Sequence, residues 1–498
     1  MIYNFNLGIG WASSGVEYAQ AYRANIFRRI GCEAKFIFVD MFPTENIEHM
    51  TANMGFKDEE IMWIYTWFTD THISEVTFTL DDLKKTIDDR PYSQTREGKK
   101  VRLDFGNGDF YTVYMVDDTS DKVHRVEIVS GNCLIRKDYY TYCRIYSEYY
   151  APYEKRAHMY QRRFFNEDGS TAYEEINDED SVMYKFRDKV LFSKEEFVAY
   201  FVKRLELKEN DILIVDRSTG IGQAILQNRG KAKVGVVVHA DHFSESSTDD
   251  DYIRWNNYYE YEFAQNKYVD FYITATEFQR QILKKQFKKY LNAEPDIYAI
   301  PVGSIDELRY PSTERKKHSL VTASRLASEK HVDWALQAVI NAKKVITDLS
   351  FDIYGKGKDE DRLKKLIEDN DAKGYICLKG HQNLDDVYVQ YDAYLSASTS
   401  EGFGLSLLEA IGSGLPIIGF DVRYGNRTFV RDGENGHIIP YDDETDAKVC
   451  IERLTQNIVK MFTEDDLEKC HEISYEIAET FLTKEVEKKW KTIIETLI

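Results

Sequence analysis

No apolar run in this sequence approaches the ~20 residues that a bilayer-spanning helix requires, which argues against a membrane-spanning helix. The opening Met1-Ile2-Tyr3-Asn4-Phe5-Asn6-Leu7 has neither the positive flank nor the apolar core of a secretory signal. Cysteines number six, at 32, 133, 143, 377, 450 and 470, without a CxxC or CxxH spacing. They read as buried or incidental thiols in a reducing compartment, not as a disulfide framework or a zinc site. Positive charge is in deficit: 65 Lys and Arg against 85 Asp and Glu, a net −20. That balance disfavours nonspecific binding to nucleic acid or to an anionic membrane. A G-x-G-x-x-G in the correct spacing is absent, so no dinucleotide fingerprint is present. No Asp-x-Asp stands in a position to hold a metal, and Asp249-Asp250-Asp251 reads as a solvated run of like charge. The expectation is a cytoplasmic protein with no metal and no nucleic-acid partner.

What the chain does contain is 498 residues, 43% of them hydrophobic and 30% charged, enough for two or three well-cored domains. Its most informative stretch runs from Glu401-Gly402-Phe403-Gly404 through Leu405, Leu408 and Glu409 to Gly412-Ser413-Gly414-Leu415-Pro416. A buried strand, Asp392 to Ser398, precedes it, and a helical period follows. Strand, glycine turn and helix start together aim backbone N–H groups and the positive helix end at a ligand. Two carboxylates beside an anion site suit a ligand that also presents hydroxyls.

The rest of the chain divides around this stretch. Residues 2–7, a glycine loop at 8–15, a helix from about Val16 and a strand at 34–39 open a doubly wound domain, with Ser13 or Ser14 as a cap. The pattern breaks near residue 50. Helical stretches are expected over 58–68 and 81–88, followed by alternating strands at 101–105, 110–116, 123–129, 133–137, 141–146, 157–166 and 171–176. Gly106-Asn107-Gly108-Asp109 is a strong hairpin signal. Thirteen of the 35 tyrosines fall between Pro91 and Val190. An exposed, Tyr-rich sheet face suits polypeptide binding; alternatively, the tyrosines pack the insertion's own core. The α/β pattern resumes at a capping box from Ser193, with buried strands at 212–216 and 234–239. His239 stands at a strand end, where doubly wound domains place ligand groups. His242 lies three residues on, without a third partner for a metal. After a linker at 311–318, a strand delivers Arg325, and Lys330 follows; two cations over a glycine-lined cleft suit a diphosphate.

The Glu401-to-Pro416 stretch resembles the sugar-nucleotide signature of retaining GT-B glycosyltransferases, the large family (glycosyltransferase family 4 type) that includes sucrose and glycogen synthases. The resemblance covers both lobes. It implies an α/β GT-B fold: two Rossmann-like doubly wound lobes with a β-sheet-rich insertion in the first. The lobes would span 1–50 with 195–305, and 306–475; the insertion would be 51–194, and a helix at 476–498 would return to the first lobe. It further implies sugar transfer from a UDP-sugar with retention and no required metal or cofactor. By the same resemblance, Arg325 and Lys330 grip the diphosphate, Glu401 with Gly402, Phe403 and Gly404 contacts the sugar, and Glu409 holds the ribose. His239 lies near the sugar, Gly15, Val16, Glu17 and Tyr18 meet the phosphates, and backbone groups around His381 and Gln382 meet the base.

The run Asn6 to Gln20 resembles the glycosyltransferases of accessory secretion systems in particular. Those enzymes place N-acetylglucosamine on Ser or Thr of serine-rich repeat adhesins. They work with a related, non-catalytic partner that helps to hold the polypeptide, here expected to dock through the insertion. The complex could associate peripherally with the inner membrane face. A wall teichoic acid glycosyltransferase and a non-catalytic acceptor-binding subunit are the alternatives. The residues leave glucose open as the donor sugar.

Overall fold

The computed structural model describes residues 1–9, 15–87, 90–154, 156–178 and 181–498. The glycine loop at 10–14, with its expected Ser13 or Ser14 cap, lies outside them. The first sheet has seven strands, all parallel, in the order Asp296–Ala299, Phe271–Thr274, Lys233–Val238, Ile212–Val215, Ile2–Asn6, Ala34–Phe38, Ile61–Trp63. Strands such as Ile212-Leu213-Ile214-Val215 are buried throughout, as a parallel sheet covered on both faces requires. The winding reverses between Ile2–Asn6 and Ile212–Val215. Doubly wound sheets open a ligand crevice at such a point, outside the carboxyl ends of the strands.

The second lobe repeats the plan with six parallel strands, in the order Ile376–Gly380, Ser350–Tyr354, Ser319–Ala323, Ala393–Ser396, Ile417–Phe420, Gly436–Ile439. Between the two halves of the first lobe stands a ten-stranded antiparallel meander, from Ser93–Glu97 to Val190–Leu191, in which each strand pairs with the next in sequence. Two Rossmann-like lobes with a β-rich insertion in the first is the GT-B arrangement read from the sequence.

Several boundaries move. The first lobe does not stop at 50, because Ile61–Trp63 pairs in parallel with Ala34–Phe38 as its edge strand. Residues 58–68 are therefore not one helix but a 3₁₀ turn at Asp58–Glu60, this strand, and a short helix at Ile64–Trp67. Three residues are too few to show a period of two. The strand Ser93–Glu97 was not expected because all five residues are exposed and none alternates. Helix Leu467–Glu479 packs within the second lobe, so the return begins only at the following helix, Thr483–Leu497. That helix buries Val486, Trp490, Ile493 and Ile494 in the first lobe's core. Trp490 meets Phe27 edge-on at 5.0 Å.

Five of the thirteen tyrosines between Pro91 and Val190, Tyr139, Tyr140, Tyr146, Tyr173 and Tyr184, are buried. Tyr139, Tyr146, Tyr173 and Tyr184 are buried in the cluster that also holds the first lobe's sheet. Tyr173 stacks on Phe164 at 4.5 Å and on Phe186 at 4.8 Å, and Tyr184 on Phe197 at 4.1 Å. Tyr153 and Tyr160 remain exposed. The far half of the sheet has a separate core of Val101, Leu103, Val113, Val123 and Val126 against Leu80 and Leu83.

Candidate active site

The strand Ala393–Ser396 is buried and ends in the loop that carries Glu401. Gly404 takes a φ of +87°, which glycine adopts without strain, and starts the helix Leu405–Gly412. The loop is tied down from behind. The Glu401 carbonyl accepts N–H bonds from Tyr424 at 2.7 Å and Gly425 at 2.8 Å. Gly402 is required by its neighbour, since a Cβ there would lie 2.7 Å from the His239 carbonyl oxygen. The Glu401–Gly404 loop of the second lobe thus rests directly on the strand end of the first. Phe403 points away, into the aromatic cluster with Phe429 and Phe481.

Lys330 reaches Glu401: Nζ lies 2.6 Å from Oε2, with Ser398 Oγ at 3.4 Å. Both members of the pair are mostly buried, at 18% exposure each, so the pair is screened less than a surface one. Arg325 is not brought to Glu401. It lies on the surface at 69% exposure and pairs with Glu329 at 3.3 Å. His381 and Gln382 are exposed on the loop after Ile376–Gly380. Glu409 stands one turn into its helix with Tyr388 Oη donating to it at 3.2 Å. Burial pushes its carboxyl up to about 7, the nearby Asp385 adds to this, and the Tyr388 hydrogen bond opposes it. The side chain is enclosed by protein yet still open to the cleft, and water there moderates the push. Tyr22, on the first lobe's helix Gly15–Ile30, faces the same carboxylate. Its phenol is pushed up to about 12, first by burial and then by Glu409.

On the first lobe, Gly15 and Tyr18 are exposed at the helix start, Val16 is half-buried, and Glu17 is turned inward. The Glu17 carboxylate accepts from Arg217 at 2.7 Å, so its side chain is engaged within the protein. One turn further in, Gln20 and Arg23 reach Asp216, at the end of Ile212–Val215. His239 joins them, with Nε2 2.8 Å from Asp216 Oδ1. Burial alone would raise the Asp216 carboxyl, but Arg23 and His239 outweigh it and hold it well below the usual carboxylate range. His242 is a different kind of histidine. It is wholly buried, bonded to Gln286 and Tyr424, and burial lowers it to about 3.

Sequence reasoning missed Asp216, Arg23, Tyr388 and Tyr424. Asp216 did carry a signal, a lone acid ending a four-residue apolar strand at the switch point. Tyr388 and Tyr424 carried none, because their partners are distant in sequence.

Comparison with known proteins fits this geometry. Residues 93–188 match the GtfA extended beta-sheet domain, and residues 304–476 match glycosyl transferases group 1. The GtfA subunit of UDP-N-acetylglucosamine–peptide N-acetylglucosaminyltransferase from Streptococcus gordonii is 50% identical over 99% of this chain and 98% of its own. This chain belongs to the GtfA family. The crystal structure of the pneumococcal O-GlcNAc transferase GtfA in complex with UDP and GlcNAc has a TM-score of 0.93 to it at 48% identity, covering 100% of this chain and 98% of that one. That of a GtfA/B complex has 0.96 at 49%, covering 100% and 99%. A GtfA-family chain is thus a GT-B glycosyltransferase with a β-sheet insertion. The crystal structure of TarM, at 18% identity and a TM-score of 0.75, shares the fold.

Proposed function

We propose that this chain transfers N-acetylglucosamine from UDP-GlcNAc to Ser or Thr hydroxyls of a serine-rich repeat polypeptide, with retention at the anomeric carbon. It works in a cytoplasmic complex with a related non-catalytic subunit, and any membrane contact is peripheral and made by that complex. The observation that carries this reading is the full-length likeness, at about half of all positions, to GtfA subunits named for that activity. The site supports it. On this reading Glu409 holds the ribose hydroxyls, and the loop Glu401–Gly404 contacts the sugar. On the same reading Lys330, now paired with Glu401, and Arg325, moving in from the surface, take the diphosphate. Arg325 and Lys330 offset the charge that develops on the leaving UDP, which is where such a site supplies most of its rate. In same-face attack the departing phosphate oxygen takes the acceptor proton, so no protein nucleophile is needed. On this reading the two cations do the work of a divalent ion, and transfer survives chelation.

The test incubates the chain, with and without the related subunit, with a Ser-rich polypeptide and several UDP-sugars, with and without EDTA. Mass spectrometry reads the product. The expected result is a ladder of N-acetylhexosamine additions that survives EDTA and is lost in Glu401→Gln. Addition of hexose, transfer only to a polyol-phosphate polymer, or unchanged turnover by Glu401→Gln would each sink the reading.

A further inference from the structure

The acceptor capacity of one buried carboxylate carries a further inference. Asp216 is wholly inside the protein. A carboxylate offers about four lone-pair sites, and at Asp216 four N–H groups occupy them. Oδ1 accepts from Arg23 Nη2 at 2.7 Å and lies 2.8 Å from His239 Nε2; Oδ2 accepts from Arg23 Nη1 and Gln20 Nε2, both at 2.8 Å. Arg23 cannot accept, and its fork fixes the carboxylate plane. With every oxygen lone pair engaged, the carboxyl has no proton to give to His239. The ring must therefore present Nε2–H to it, because a lone pair at Nε2 would face a lone pair at 2.8 Å. The other ring nitrogen, Nδ1, has no protein hydrogen-bond partner among the described residues.

The same carboxylate also fixes a second object. Gln20 and Arg23 lie on the inward face of helix Gly15–Ile30, with Glu17 one turn earlier, bonded to Arg217 and near Asn6 at 3.4 Å. The start of this helix and the His239 strand end both border the cleft. Asp216 sits behind them, and the His239 carbonyl touches Gly402 of the opposite lobe.

We propose that Asp216 is a positioning residue: it locks His239 with Nε2 protonated and Nδ1 offered to the donor sugar as a hydrogen-bond acceptor, and in the same plane anchors the phosphate-facing helix through Gln20 and Arg23. This rests on the donor-site reading above. The orienting partner of a histidine decides which nitrogen does the work.

Two measurements test it. The first uses the unaltered protein with ¹⁵N-labelled histidine, the His239 signal being assigned by its loss in His239→Gln. The neutral ring should carry its proton on Nε2 and leave Nδ1 bare. A ring protonated on Nδ1 alone overturns the proposal, whatever any variant does. The second is Asp216→Asn, whose amide sets an NH₂ against an Arg23 N–H in either orientation. Transfer should fall about 10- to 100-fold, the range seen when the orienting partner of a ligating histidine is removed. UDP affinity, to which the phosphate-facing helix adds only part, should fall by less than transfer does. Wild-type turnover by Asp216→Asn overturns the proposal; if the variant does not fold, the tautomer decides alone. Glu401→Gln and Lys330→Ala separate the two readings. If both retain full activity, the donor site itself is wrongly assigned. If both are inactive while Asp216→Asn is normal, only the positioning role fails.

Discussion

Glu401 and Glu409 stand on one loop-and-helix unit, yet their surroundings give them opposite electrostatic situations. Glu401 has a cation at 2.6 Å. The Glu409 carboxyl is raised towards 7 by burial, with a phenol hydroxyl bonded to it, Asp385 adding to the rise and the more distant Arg309 opposing it. The sign of the consequence follows from linkage. Below its raised pKa Glu409 is protonated, and above it the group is an anion that accepts hydroxyl donors better. Ribose hydroxyls therefore favour the ionised form. UDP should bind more tightly as pH rises from about 6 to about 8, by at most about tenfold, because cleft water reduces the shift. Diphosphate protonation adds its own slope, so the comparison is with Glu409→Gln, which should bind more weakly and lack the difference. Calorimetry at several pH values checks it; equal slopes for the two proteins would show that Glu409 does not meet the ribose. At this scale the sequence was informative wherever one element held the whole signal. Glycines and acids spaced through 401–412 were readable, because turn and helix period are local. The contact of Lys330 with Glu401 was not legible, since the resemblance assigned Lys330 to a diphosphate and Glu401 to a sugar. The surface position of Arg325, and the four donors on Asp216, depend on contacts that no spacing reports.

At the scale of elements, the meander shows what composition leaves open. Thirteen tyrosines in one region fit either an exposed binding face or the insertion's own core. The structure spends several on a seam between the sheet and the first lobe. Tyr173 is the clearest case. Its ring is 1% exposed and stacked on both sides, and its hydroxyl donates to the Tyr65 carbonyl at 2.7 Å. Tyr65 belongs to the short helix after the first lobe's edge strand. Tyr173→Ala removes the stack and leaves that carbonyl unsatisfied, a loss of about 3–5 kcal/mol from the cavity alone. Hydrogen exchange should then accelerate on both sides of the seam, in 171–178 and in 64–68 with 194–204, while the second lobe stays protected. Acceleration confined to the sheet would mean that the seam does not couple the two units. The order of the strands was legible, since a meander pairs neighbours. The packing of its tyrosines was not, because a buried and an exposed tyrosine look alike in sequence.

At the scale of the molecule, the two lobes meet at Tyr424. Its backbone N–H holds the Glu401 carbonyl at 2.7 Å, while its side chain belongs to the other lobe's surface. Oη lies 2.7 Å from Asp241 Oδ1 and 2.9 Å from His242 Nδ1, and the ring stands beside Phe278 and the His242 imidazole. Arg423 adds a contact to Asp241 at 3.3 Å and lies over Phe243. Burial raises the Asp241 carboxyl, and Tyr424 and Arg423 oppose that rise. Both partners of the hydroxyl lie within three residues of His239, so one residue ties the Glu401 loop of one lobe to the strand end of the other. Tyr424→Phe keeps the ring and removes only the hydroxyl. A hydrogen bond to a charged group contributes about 1.5–3 kcal/mol, so the balance between closed and open lobes should shift by roughly 10- to 100-fold. The fold should be intact, KM for UDP-GlcNAc should rise, and the KM change should exceed any change in kcat if closure is fast. Interlobe distances from paired fluorophores should broaden in Tyr424→Phe and narrow again when UDP is added. An unchanged distance distribution together with an unchanged KM would show that closure is held elsewhere, at the double chain crossing where Ile305 exchanges backbone hydrogen bonds with Phe481 and Thr483.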